Sequence, residues 1–386
     1  MAILEVTMLR IRLLKPSPTQ VLVYDSLGLE FLQETITNEF SVKYLILQKS
    51  LPVVLRWSFF NDFLLNLVNC RFSLRLAYII SLIDQFRPQI VLTFADTSPV
   101  PGEYSSKRPE TLVLSVQNAL RDTPSLSNIR KAPVYYCFGQ STKQLFDTKN
   151  IPYQRMVIAG SLALGLFLSQ KRIVRPSNDL VFVSSYRVVF EDFESSPTLY
   201  TRCQAKAHEC IFRNLLRYSR EHNLRLTVIA KAKVRKEGEH FTEEKSYFER
   251  LACGQPFDLS STVKNTYNSY EVALSAEILV SLDSTLAYEM LSLGKKVLVG
   301  LGISETLSKE RDFDLEYLPD EVLLSSKGYD HFKSKMNELN RLTDEVYQAS
   351  IAECRSKYVS QNPDYPPHER IKDEFKRHLA GQTIHQ

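Results

Sequence analysis

The chain lacks the features that would commit it to several familiar chemistries. Its six cysteines, at 70, 137, 203, 210, 253 and 354, form no C-x-x-C pair and follow no regular spacing. That argues against a disulfide framework and fits reduced thiols in a cytoplasmic protein. The seven histidines make no H-x-x-x-H or H-x-H group, so no metal site is expected. The sequence also has no G-x-x-x-x-G-K-[ST] loop, no G-x-G-x-x-G and no G-x-S-x-G. These absences set aside a kinase, a nicotinamide enzyme and an ordinary esterase, and no cofactor is expected.

Charge and long apolar runs are scarce too. A formal charge of +4 over 386 residues does not imply a nucleic-acid partner, although a basic cleft for an anionic ligand stays open. The most apolar region, Leu51 to Ile83, is broken by Arg56, Asp62, Arg71 and Arg75, so no part of it spans a bilayer without burying charge. One or two helices packed against a sheet are expected there. The segment that could instead touch a membrane surface is Trp57-Ser58-Phe59-Phe60. The opening residues, Met1 to Glu5, lack the charged-then-apolar pattern of a signal peptide.

What is present is α/β alternation on a chain whose hydrophobic content of 44% can fill two cores. Short β-rich runs recur at Val21 to Asp25, Tyr44 to Leu47, Ile90 to Phe94, Leu112 to Val116, Tyr135 to Phe138 and Met156 to Ala159. A second series comprises Leu180 to Val183, Leu226 to Ile229, Ile278 to Leu282 and Val297 to Val299. Helical patterns separate them, which predicts two Rossmann-like, doubly wound domains. The polar, Pro-containing stretch near 162–178 marks the boundary. The expected division is 1–165, 166–345 and a helical tail at 346–386, with a long helix over 330–358 and a last one from His368 to about His378.

In parallel sheets, ligands gather beyond the carboxyl ends of the strands. On the first domain those positions offer Asp25, Asp96 and Gln117-Asn118; on the second, Ser184-Ser185-Tyr186-Arg187, Lys231, Lys233 and Asp283-Ser284-Thr285. The last run sits between two apolar strands and opens a helix, with Glu289 about one turn further on. It reads as a phosphate-binding turn, because a helix N-terminus presents free amides to an anion. The plainer alternative is an N-cap followed by a solvated glutamate. Carboxylates and amides thus collect on one domain, cations and hydroxyls on the other. Arg187, Lys231, Ser184, Ser185, Ser284 and Thr285 suit a leaving phosphate, and Glu289 suits two ribose hydroxyls. Asp283 suits the turn itself. Asp96, then Asp25, is the candidate base; either could instead cap a helix. Gln117 and Asn118 would hold acceptor hydroxyls or order their loop.

Several segments together resemble the bacterial surface carbohydrate (surface polysaccharide) biosynthesis proteins. They are Val21 to Asp25, Ile90 to Thr97, Ser115 to Arg121, Tyr135 to Gly139, Phe182 to Arg187, and Asp283 to Glu289 with Gly294-Lys295-Lys296. Relatives commonly carry Gln-Asn-Gly where this chain has Gln117-Asn118-Ala119. The resemblance implies a metal-independent glycosyltransferase of the GT-B fold. Its donor would be a nucleotide sugar, a CMP-linked nonulosonic acid or Kdo-like sugar first, and its acceptor a surface glycan such as O-antigen or capsule. A lipid-linked acceptor would bring the cytoplasmic protein into peripheral contact with the inner membrane. The alternatives are a nucleotide-sugar epimerase of the same two-lobed form, whose usual Asp-Ser-Gly-Gly turn is absent, and a non-catalytic subunit that retains the fold.

Overall fold

The computed structural model describes residues 10–36, 39–47, 50–54, 56–69, 73–121, 123, 126–127, 129–196, 198–231, 239–261 and 267–381. Within them the strands are β1 (Arg10–Leu13), β2 (Val21–Tyr24), β3 (Val42–Leu45), β4 (Ser50–Val53), β5 (Ile90–Thr93), β6 (Leu112–Val116), β7 (Ala132–Cys137) and β8 (Tyr153–Ile158), followed by β9 (Asn178–Val183), β10 (Leu226–Ile229), β11 (Asp258–Ser260), β12 (Ala276–Ser281) and β13 (Lys296–Val299). They form a six-stranded sheet in the order β3-β2-β5-β6-β7-β8, a five-stranded sheet in the order β11-β10-β9-β12-β13, and the pair β1-β4. Every pairing is parallel. Parallel neighbours need long crossovers, which the intervening helices supply.

The central strands β2, β5 and β7 are buried along their whole length, which is why they read as continuous apolar runs rather than alternating ones. Successive side chains still take opposite faces. Val21, Val23, Ile90 and Leu92 join a core that runs on into the second sheet, whereas Leu22, Tyr24 and Val91 face a separate cluster with Ile80 and Ile83.

The tail does not form one long helix. It breaks into Tyr329–Arg341, Asp344–Ser350 and Ala352–Tyr358, then Pro367–Leu379. Ser360 N donates to Phe138 O at 2.8 Å. Glu374 pairs with Arg155 and accepts from Tyr136 Oη at 3.3 Å, so the last helix lies on the first sheet's side. Gly160, at φ +89°, passes so close to the Ser360 carbonyl that a Cβ would overlap it. That position therefore demands glycine for both conformation and space.

The Leu51 to Ile83 region corrects its sequence reading in part. It folds as β4, then the helices Trp57–Asn69 and Leu74–Asp84. Of the first helix Phe59 is buried, but Trp57, Phe60, Leu64, Leu65 and Val68 are exposed. Among the described residues no helix is long and apolar enough to cross a membrane.

Candidate functional site

β12 ends at Ser281, and two residues later Asp283 occupies a buried hub. Its carboxylate accepts from Ser185 Oγ and from Gln204 Nε2 at 2.7 Å, and Arg311 Nη1 stands 3.6 Å away. Burial alone would raise its pKa, but Arg311, Ser185, Lys231 and Gln204 together hold it below the ordinary value. Asp283 therefore stays ionised and ties β9, β12 and the long Leu199–His222 helix together. Ser284 caps the Thr285–Ser292 helix, its Oγ accepting from Leu286 N at 3.3 Å.

Ser184 and Ser185 correct the expectation that their hydroxyls await a phosphate. Ser184 Oγ donates to Glu244 at 2.5 Å and Ser185 Oγ to Asp283. Both serines are buried, where an unpaired hydroxyl is costly, so these bonds consume the donors. Arg187 and Lys231 remain exposed at the ends of β9 and β10. Desolvation of its ammonium, then repulsion from Arg187, lowers the Lys231 pKa against the opposing pull of Asp283 and Glu244, so the two cations share one end of the sheet. Lys233 lies outside the described residues.

The first turn of the Thr285–Ser292 helix meets the other sheet. Thr285 Oγ1 accepts from Leu120 N, just beyond the end of β6, at 3.1 Å. One turn on, Glu289 is 4% exposed and accepts from Ser161 Oγ, beyond β8, and from Tyr270 Oη at 3.0 and 3.1 Å. Burial pushes its pKa up to about 7 against the pull of Ser161 and Tyr270. Glu289 is thus no solvated helix residue. A cavity of about 200 Å³ at this waist is lined by Gln117, Asn118, Ser161, Tyr270, Thr285 and Glu289.

Gln117 and Asn118 order their loop. Gln117 Oε1 accepts from Phe138 N and its Nε2 donates to Ala119 O, both at 2.8 Å. Asn118 Nδ2 donates to Phe94 O, and its Oδ1 accepts from Arg121, both at 2.7 Å. Of the two functions the sequence left open, these amides serve the loop; their polar atoms are already engaged there.

Asp96 requires a correction as first-choice base. It is 4% exposed, and both oxygens are held: Arg121 Nε donates to Oδ2 at 2.8 Å, Arg121 Nη2 to Oδ1, and Tyr135 Oη to Oδ2 at 2.5 Å. A buried carboxylate held by a two-pronged arginine pair and a tyrosine is engaged within the protein rather than turned to an acceptor. Asp25 sits differently. It follows β2 in the left-handed region at φ 75°, and its Oδ1 accepts from Ser26 N at 2.5 Å and Leu27 N at 3.2 Å. It lines a cavity of about 760 Å³ together with Arg75, Thr97, Ser98, Glu103 and Arg130.

Several of these partners were not singled out in the sequence. Ser161 had a signal, since it lies shortly beyond the end of β8 and opens the helix Leu162–Ser169. Glu103, Gln204, Arg311 and Arg130 carried none, because helix and loop positions reach these sites only through tertiary packing.

Residues 143–363 match the model of a family described as "putative O-antigen biosynthesis protein". No curated protein matches the chain. Among solved structures, UDP-GlcNAc 2-epimerase from Neisseria meningitidis bound to UDP-GlcNAc is similar at 13% identity and TM-score 0.53, over 94% of this chain and 99% of that one. MnaA of S. aureus solved with UDP is similar at 12% identity and TM-score 0.55, over 96% and 99%. The wall teichoic acid polymerase TagF is similar at 10% identity and TM-score 0.51, over 95% and 90%. These likenesses establish the fold: two Rossmann-like halves in a GT-B-like arrangement.

Proposed function

The chain belongs to the O-antigen biosynthesis family whose model it matches, and on that premise we propose that it is a glycosyltransferase moving a sugar from a nucleotide-activated donor to a surface glycan. The observation that carries this reading is the Thr285 to Leu120 hydrogen bond of 3.1 Å. It joins loops at the carboxyl ends of two parallel sheets, the edge at which ligands of such sheets gather.

In this reading Arg187, Lys231 and the N-terminus of the Thr285–Ser292 helix, capped by Ser284, take the donor phosphate. Thr285 and Glu289 border the ribose. Charge develops on the phosphate as the glycosidic bond breaks, and fixed cations and a helix dipole stabilise it without reorganising. The larger first-lobe cavity takes the acceptor, where Asp25 removes the proton from the attacking hydroxyl. Asp96 acts only through Arg121, by fixing the loop that carries Asn118 and Leu120. The donor is a CMP-linked nonulosonic acid or Kdo-like sugar and the acceptor a glycan carried on a lipid.

The test is transfer of labelled sugar from a series of nucleotide sugars to lipid-linked glycan. We expect turnover with wild type, and donor binding without turnover in Asp25→Asn. Undiminished turnover in that variant would remove Asp25 as base. Conversion of the nucleotide sugar to its epimer without acceptor would assign the two lobes to epimerisation instead.

A further inference from the structure

The Trp57–Asn69 helix is apolar on two faces: Phe59, Phe63 and Leu67 pack on the first-lobe core, and a second apolar stripe points away from it. Its inward side also carries polar groups: Asn66, 2% exposed, donates to Ser81 Oγ at 3.0 Å, and Asp62 Oδ2 accepts from Gln85 Nε2 at 2.8 Å. Ser58 Oγ adds a bond to Gln85 Oε1 at 3.3 Å. Its outward face carries Trp57 at 79% exposure, with Phe60, Leu64 and Val68 following at steps of three and four, which places them on one stripe. Leu65 widens the stripe, and Leu74 at the start of the next helix extends it. A helix that packs one face on the protein while leaving a tryptophan and four large apolar side chains in water on another is built to be covered.

Two further features specify what covers it. From Arg56 to Asp84 the sequence holds Arg56, Arg71 and Arg75 against two acids, and both acids are engaged within the protein, Asp62 with Gln85 and Asp84 with Arg108. Arg56 and Arg75 are exposed next to the two ends of the apolar stripe, beside Trp57 and Leu74. Apolar side chains flanked by arginines match the acyl boundary and the anionic headgroups of a bilayer, and tryptophan favours that interface. A second copy would instead bring more of the same charge. The Leu74–Asp84 helix also continues the stripe into the protein: Arg75, Leu76 and Ile79 line the cavity of about 760 Å³ that holds Asp25.

We propose that the outer face of the Trp57–Asn69 helix, with Leu74 and the flanking arginines, is a docking surface for an anionic lipid bilayer, set at the mouth of the first-lobe cavity. Docked this way, the cavity opens beside the headgroups, where a lipid-carried glycan would present its sugar. That last consequence rests on the proposed acceptor role of the cavity; the docking surface does not.

Trp57 is the only tryptophan in the chain, so its fluorescence reports this surface alone. The full-length protein is titrated, without donor or acceptor, with phosphatidylglycerol vesicles and with phosphatidylcholine vesicles. We expect co-sedimentation and a shift of Trp57 emission to shorter wavelength with the anionic vesicles, and loss of both at high salt. Phe60→Glu and Leu64→Glu change exposed positions; each should keep the wild-type melting temperature and lose about tenfold or more in vesicle partitioning. Absence of any shift with either vesicle overturns the proposal. So does a stable dimer in which Trp57 is already shifted and which Leu64→Glu dissociates, since a second copy would then be the occupant. Transfer to a lipid-free glycan separates the two readings: transfer without vesicle binding overturns the docking surface alone, and vesicle binding without transfer overturns the transferase reading alone.

Discussion

Thr285 Oγ1 accepts the amide of Leu120 at 3.1 Å, and this contact links the loop after β6 to the first turn of the helix after β12. Thr285→Val keeps the shape and removes the acceptor. The Leu120 amide then loses its partner in a half-buried site, so stability should fall by about 1–3 kcal/mol. Urea unfolding measures it, and Thr285→Ser, which retains the hydroxyl, should recover most of the loss.

Asp283 bears on a larger structural load than its neighbour Ser284. Asp283→Asn removes the charge that faces the buried Arg311 and weakens the bonds from Ser185 and Gln204. We expect a loss of about 3–5 kcal/mol. Ser284→Ala removes only a helix cap and should cost about 1 kcal/mol. Equal losses in the two unfolding curves would contradict the hub.

Glu289 makes stability depend on pH in a defined direction. Its folded pKa, pushed up to about 7, exceeds the unfolded value near 4.3, so the folded state binds the extra proton between these limits. Stability should therefore fall as pH rises from about 4.3 to about 7, by up to about 4 kcal/mol. Glu289→Gln cannot ionise. Its melting temperature should match wild type near pH 5 and exceed it at pH 8, and parallel profiles for the two proteins would contradict the assignment.

Asp25 and Asp96 should fail in different ways. Asp25→Asn is expected to lower kcat by about 10²–10⁴ with the unfolding midpoint unchanged. Asp96→Asn removes the charge that faces the buried Arg121 and should unfold at markedly lower denaturant, by about 3–5 kcal/mol. Chemical denaturation beside single-turnover transfer distinguishes them.

The parallel sheets were legible because buried strands are short, apolar and β-rich: Leu112 to Val116 coincides with β6, and Ile90 to Phe94 overruns β5 by one residue. β1, β4 and β11 escaped, since Arg10–Leu13, Ser50–Val53 and Asp258–Ser260 are short segments interrupted by polar residues or proline. At the site, position after a strand brought Thr285, Glu289, Asp25 and Arg187 forward. It could not reveal what each group does with its hydrogen bonds. Asp96 and Asp25 look alike in sequence, yet Arg121 and Tyr135 lock the first while the second lines an open cavity. The Trp57–Asn69 helix was only half legible for a related reason: Phe59, Phe63 and Leu67 do pack on the core, but Trp57, Phe60, Leu64 and Val68 do not. Its apolar content suggested a core helix, and only the packing of Asn66 on Ser81 and Asp62 on Gln85 shows which face is inward.

The central functional claim is that the second lobe binds a nucleotide through Arg187 and Lys231. Thermal unfolding with CMP, UDP, GDP and dTDP tests it directly. One of them, CMP first, should stabilise the wild type by about 2.7 kcal/mol at a concentration near 100 Kd, and Arg187→Ala should abolish the shift. No shift with any of the four, or a shift that Arg187→Ala leaves intact, would contradict the account.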